Sequence, residues 1–105
     1  MAIIEHNGKS YQVDEEGFLV EALTERDENW SEYVMSILGI PELTLEHKIV
    51  LDETWKYYKK NGIAPMLRVL SKIVFLPYKR IYELFPSGFK YGACKMLGLR
   101  EQDCF

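Results

Sequence analysis

Chain breakers constrain this sequence more tightly than its composition does. Gly39 and Pro41, Asn61-Gly62, Pro65, Pro77, Pro86 and Gly98 recur at short intervals, and the stretches between them carry apolar residues at helical spacing. Such a chain folds into several short helices rather than one long helix or a large sheet. Trp30, Tyr33, Val34, Ile37 and Leu38 predict the first helix, with Asn29 and Glu32 placed to cap its start. Thr44 is the expected cap of the second, which presents Leu51, Trp55 and Tyr58 on one side. Lys56, Lys59 and Lys60 lie towards its negative end, and Asn61-Gly62 is its stop. Pro65 suits the first turn of a third helix with an apolar stripe of Met66, Val69, Leu70 and Ile73. A fourth, over about 78–85, is expected to bury Tyr78, Ile81, Leu84 and Phe85 and to turn Lys79 and Arg80 outward. A fifth runs over about 89–97 and stops at Gly98.

Ahead of these helices, Ile3-Ile4 and Tyr11-Gln12-Val13 flank Asn7-Gly8, a dipeptide that tolerates the positive φ angles of a tight hairpin turn. The reading is one mainly α domain, residues 1–98, built from about five helices and a small N-terminal β-hairpin, followed by a mobile C-terminal arm, 99–105. At 48% hydrophobic residues the chain can bury a compact core, which argues against disorder. A charge at Glu5 precedes any apolar run and no stretch matches a membrane span, so a cytoplasmic location is expected.

Charge is unevenly spread: residues 1–62 hold 6 basic against 13 acidic side chains, and residues 63–105 hold 7 against 3. Both cysteines lie in the basic part. The asymmetry can steer an acidic partner, but a chain of net charge −3 lacks the composition of a strong nucleic-acid binder. His6 and His47 have no second ligand at metal-binding spacing, and no phosphate loop or nucleophile triad is present, so no metal or cofactor is expected.

The candidate chemistry therefore rests on Cys94 and Cys104. Two cysteines in a reducing compartment do not form a disulfide framework. Cys94, with Tyr91 and Leu97 three residues to either side, has the pattern of a small buried residue on the last helix. Cys104 follows the polar run Arg100-Glu101-Gln102-Asp103, which offers no apolar period to bury it, so an exposed, reactive thiol is expected. A plug formed by Cys104 and Phe105 is the structural alternative. The segment from Gly98 to Cys104 reaches at most about 20 Å, whereas Cys94 lies only about 6 Å back along the helix. The arm can thus fold back, and closing such a loop would restrict the unfolded chain by about 2.7 kcal/mol. With the arm free, Asp103 and the terminal carboxylate would oppose a thiolate on Cys104; Lys90, Lys95, Lys79, Arg80 and Arg100 are the candidate cations for arm docking or partner contact.

Leu84-Phe85-Pro86-Ser87-Gly88, Gly92-Ala93-Cys94-Lys95, Gly98-Leu99 and a penultimate cysteine together resemble the DsrC/TusE sulfur-carrier family. Further matching segments are Asp14-Glu15-Glu16-Gly17-Phe18-Leu19, Trp30-Ser31-Glu32, Leu43-Thr44-Leu45-Glu46-His47, Tyr57-Tyr58 and Gly62-Ile63-Ala64-Pro65-Met66-Leu67-Arg68. The resemblance implies an orthogonal helical bundle with a flexible arm whose penultimate cysteine, Cys104, carries persulfide sulfur as a protein co-substrate. Members with both cysteines serve dissimilatory sulfite reductase and link sulfur between the two thiols; members with only the last supply tRNA thiolation. The chain departs from the family pattern in its arm, where nine residues separate the cysteines instead of ten and Arg100-Glu101-Gln102-Asp103 replaces a Pro-x-Pro segment. Lys48 and Phe89 stand where the family has Trp and Pro. Two other readings fit the same residues: a thiol-disulfide redox sensor, and a helix-turn-helix DNA-binding regulator using helices three and four with Lys79 and Arg80.

Overall fold

The computed structural model describes residues 2–104. Strands β1 (Ala2–His6) and β2 (Lys9–Val13) pair antiparallel, with Ile4 opposite Tyr11 and His6 opposite Lys9. The turn between them is the expected one: Asn7 at φ 52° and Gly8 at φ 80° both occupy the left-handed region that a primed turn demands. Five helical segments follow: α1 (Glu28–Leu38), α2 (Leu45–Asn61), α3 (Leu67–Val74), α4 (Tyr78–Leu84) and α5 (Lys90–Cys94), the last a π-helical turn continued by 95–96. They form the expected orthogonal bundle, with the small hairpin packed against α1.

The hairpin is too small to stand alone and is held by polar contacts to the start of α1. Asp27 is the cap of that helix, accepting from the N–H groups of Asn29 and Trp30, and its other carboxylate oxygen takes hydrogen bonds from Lys9 Nζ (2.7 Å) and the Tyr11 hydroxyl (2.8 Å). This replaces the expected Asn29–Glu32 cap. Asn29 instead donates to the His6 carbonyl and to Tyr11, so it fastens the strands. Both residues were able to cap; only one faces the helix N–H groups once the hairpin takes the other.

The cap of α2 is Thr44, as expected, with His47 closing the box from within. The His47 ring nitrogen Nδ1 accepts from the Thr44 N–H, and Nε2–H donates to the Leu84 carbonyl at 2.8 Å. One buried imidazole thereby joins the start of α2 to the end of α4. Its ring also meets Phe85 edge-on.

Helix α3 departs from expectation in most of its buried face, and α4 at one residue. Pro65 lies before α3, Met66 is its cap, and the residues sealed in the core are Leu70 and Val74, while Met66 and Ile73 are exposed. Tyr78 is likewise half exposed, leaving Ile81, Leu84 and Phe85 as the buried set of α4. In helices of eight and seven residues two apolar stripes one position apart fit the period equally well. Among the described residues no helix is long and apolar enough to cross a membrane, and no group of three or more His, Cys, Asp or Glu could hold a metal ion.

The Asp27 junction can be tested through its titration. Burial pushes the Asp27 carboxyl up, but hydrogen bonds from Lys9, Tyr11 and the Trp30 N–H outweigh it and hold it below its ordinary value. The unfolded chain therefore binds this proton more readily, so the stabilisation is complete above about pH 4 and fades as pH falls through the lowered native value. Asp27→Ala should cost about 1–2 kcal/mol at pH 7 and less at pH 3, read by urea unfolding at both.

Candidate functional site

The site is assembled by fixing α5 first and bending the arm back onto it. Trp30 is wholly buried, and its indole N–H donates to the Lys95 carbonyl at 2.6 Å; the neighbouring Ser31 hydroxyl donates to the Met96 carbonyl. Two carbonyls at the end of α5 are thereby held by α1, that of Lys95 while also accepting from the Gly98 N–H. Within α5, Cys94 N–H reaches the Phe89 carbonyl, the longer reach of a π-turn, a distortion that occurs often at functional sites. Gly92 presses against Phe85, where a side chain would collide with its Cβ.

Lys95 follows Cys94 but faces elsewhere. Its Nζ donates to the Glu16 carbonyl at 2.8 Å and lies over the Phe18 and Tyr91 rings, and burial lowers its pKa despite the opposing influence of Asp14 and Glu16. It straps the loop after β2 to α5. Its ammonium is thus engaged by that loop and by two rings.

Gly98 at φ 78° ends the helical segment and turns the chain. Its carbonyl accepts from Leu23 N–H, and a methyl group on it would collide with the Leu23 side chain. Leu99 is buried, and its N–H returns to the Cys94 carbonyl. Beyond it the polar run forms a 3-10 turn, Glu101–Asp103, that reverses the chain. Arg100 donates to both carboxylate oxygens of Asp103 (2.9 and 3.2 Å), Lys90 donates to Glu101 at 2.7 Å, and Ala64 N–H donates to the Asp103 carbonyl at 2.8 Å. The hydrogen bond it donates to Glu101 holds the Lys90 ammonium above its ordinary pKa.

The outcome is a Cys94–Cys104 disulfide with Cα atoms 6.5 Å apart, Cys94 fully buried and Cys104 only 7% exposed. In this state Cys104 is not the exposed thiol that the polar run suggests: the ion-paired turn, not apolar periodicity, brings it inside. Of the candidate cations, Lys90 pairs with the arm and Arg100 pairs within it. Lys79 is exposed on α4, and Arg80 is engaged by Glu46, with Glu83 nearby. Phe105 and the terminal carboxylate lie outside the described residues. Sequence reasoning did not single out Ala64, Glu101 or Asp103 as the groups that seat the arm; the three-residue spacing of Arg100 and Asp103 was the available clue.

The model of the family described as DsrC like protein matches residues 5–105. The chain belongs to the DsrC family. It is 48% identical over 94% of its length to the dissimilatory-type sulfite reductase subunit gamma of Nitratidesulfovibrio vulgaris, of which it covers 93%. Among solved structures it resembles a chain of dissimilatory sulfite reductase I, with TM-score 0.84 and 46% identity over 93% of each chain. It also resembles the oxidized gamma subunit of the dissimilatory sulfite reductase from Archaeoglobus fulgidus, with TM-score 0.80 and 33% identity over 93% of this chain and 94% of that one. As a DsrC-family protein the chain is a sulfur carrier with a disulfide- and persulfide-forming cysteine pair near its C-terminus. It acts as a co-substrate of other proteins rather than as a stand-alone enzyme.

The anchoring of the arm's root carries a clear expectation. Gly98→Ala should destabilise the fold by at least about 1–2 kcal/mol, the cost of a left-handed backbone for an L-residue, with the Leu23 clash in addition. Thermal unfolding of this variant, and partial recovery on adding Leu23→Ala, would separate the two contributions.

Proposed function

We propose that Cys104 is the carrier thiol, that the arm 99–105 moves between the closed position seen here and an open one, and that Cys94 is the resolving thiol. In the open position Cys104 receives a sulfur atom from a partner and holds it as a persulfide. On closing, the Cys94 thiolate attacks the Cys104 Sγ: a new S–S bond forms between the cysteines, the Sγ–sulfur bond of the persulfide breaks, and its electron pair leaves with hydrosulfide. No outside oxidant is needed, because the persulfide already carries the oxidising equivalent. The observation that supports this reading is the meeting of the two cysteines at the end of a short arm whose turn is joined to the body by a part-exposed ion pair, Lys90 to Glu101, and a backbone bond from Ala64.

The preferred partner is a complex of the dissimilatory sulfite reductase type, because both cysteines are present and the Nitratidesulfovibrio relative is the gamma subunit of such a reductase. Reduced cytoplasm is the setting in which this exchange of thiol, persulfide and disulfide would operate.

Mass spectrometry after incubation of the reduced protein with a persulfide donor tests the assignment. The wild type should gain about 32 Da on Cys104 and then convert to the disulfide with release of hydrosulfide. Cys104→Ser should take up no sulfur. Cys94→Ala should load normally but release none. A wild type that passes directly to the disulfide, with no sulfur adduct at any time, would instead make the pair a redox sensor.

A further inference from the structure

The arm's polar run does more than end the chain. Arg100 and Asp103 pair across the 3-10 turn, with the Asp103 side chain almost buried and Arg100 less than half exposed. That pair shapes the turn but ties the arm only to itself. Among the described residues, one side-chain ion pair joins the turn to the helix that carries Cys94: Lys90 Nζ to Glu101 Oε1 at 2.7 Å, the two side chains 26% and 39% exposed. Lys90 and Cys94 are the first and last residues of the same π-turn, and Glu101 and Cys104 are separated by the length of the 3-10 turn. The ion pair therefore bridges the two segments whose other ends are the two sulfurs. The Ala64 N–H to Asp103 carbonyl bond fixes the outer side of the turn through backbone alone.

We infer that Lys90 and Glu101 are positioning residues: their ion pair is a latch that closes the arm and raises the effective concentration of the Cys104 thiol at Cys94. This deepens the relay reading, on which it rests for its biological meaning. Physically it needs only the two cysteines and the arm. When the disulfide is opened by reduction, the latch, the Ala64 bond and the burial of Cys104 are what hold the closed position. An exposed or half-exposed ion pair contributes little to a whole fold, but here it acts on a short arm with few other contacts. Removing it shifts the closed fraction, and with it the intramolecular thiol-disulfide equilibrium. Neither residue touches the sulfurs. Their effect is on where Cys104 spends its time.

The test is the equilibrium of the dithiol protein with oxidized glutathione, in which the protein gives up two hydrogens, gains the Cys94–Cys104 bond and releases two molecules of glutathione. Lys90→Gln and Glu101→Gln should each lower the equilibrium constant by about two- to fivefold in low salt, the range expected for a surface ion pair. The difference should shrink at about 1 M salt, where screening acts over roughly 3 Å. The charge-exchanged Lys90→Glu/Glu101→Lys double variant should recover most of the loss. A merely structural role would instead lower the melting temperature of the reduced protein, which should stay unchanged in both single variants. Equal constants for wild type and single variants, or no recovery in the exchanged double variant, would overturn the latch. Because glutathione replaces any sulfur donor, a failure of persulfide loading on Cys104 would leave this result standing, and the two ideas fall separately.

Discussion

The hydrogen bond from the Trp30 indole to the Lys95 carbonyl is the contact on which the geometry of the cysteine pair depends. It is made between residues 65 positions apart, wholly inside the core, and it takes up a carbonyl at the end of the helix that carries Cys94. Such a bond contributes about 1 kcal/mol net, whereas leaving the indole N–H unpaired in the core would cost about 1–3 kcal/mol. The asymmetry matters more than the mean. With the indole ring packed against Tyr11 and Tyr33, α5 has one depth and one rotation relative to α1 and the hairpin, and Cys94 inherits both.

Around that anchor the polar residues divide into fixed and exchangeable groups. His47 and Thr44, Asp27 with Lys9 and Tyr11, and Lys95 under Phe18 and Tyr91 each join elements distant in sequence, and no buried side-chain polar atom among the described residues lacks a partner. The contacts of the arm are different in kind. Between the buried Leu99 and Cys104, the side-chain contacts of the polar turn are charged and short in sequence range, and one backbone bond ties it to Ala64. The body is thus held by saturated buried bonds, and of its buried groups the Ala64 N–H is one that the arm itself satisfies.

Much of this was legible from the residues alone. Asn7-Gly8 announced its turn because few other dipeptides accept two positive φ angles, and Thr44, Gly39, Gly62 and Gly98 marked helix ends for equally local reasons. The capping residue of α1 was not, because Asp27 and Asn29 compete and the winner is decided by a hairpin 16 to 18 residues upstream. The buried face of α3 was misplaced because an eight-residue helix samples too few turns to fix its phase. The closed position of Cys104 was hardest to see. Polarity over 100–103 reads as a solvated tail unless Glu101 is known to meet Lys90, and that meeting exists only once Gly98 has turned the chain.

The π-turn at Lys90–Cys94 has a consequence for how this chain tolerates change. A widened turn accommodates an extra residue within a helix, and removing one residue there would rotate everything beyond it by about 100°, the angular step of a regular helix. Cys94 could keep its place on the axis and still point away from the returning terminus. The partnership of the sulfurs is thus written into the girth of a helix, and insertions or deletions near 90–94 would be far more disruptive than the polar composition of the neighbouring terminus suggests.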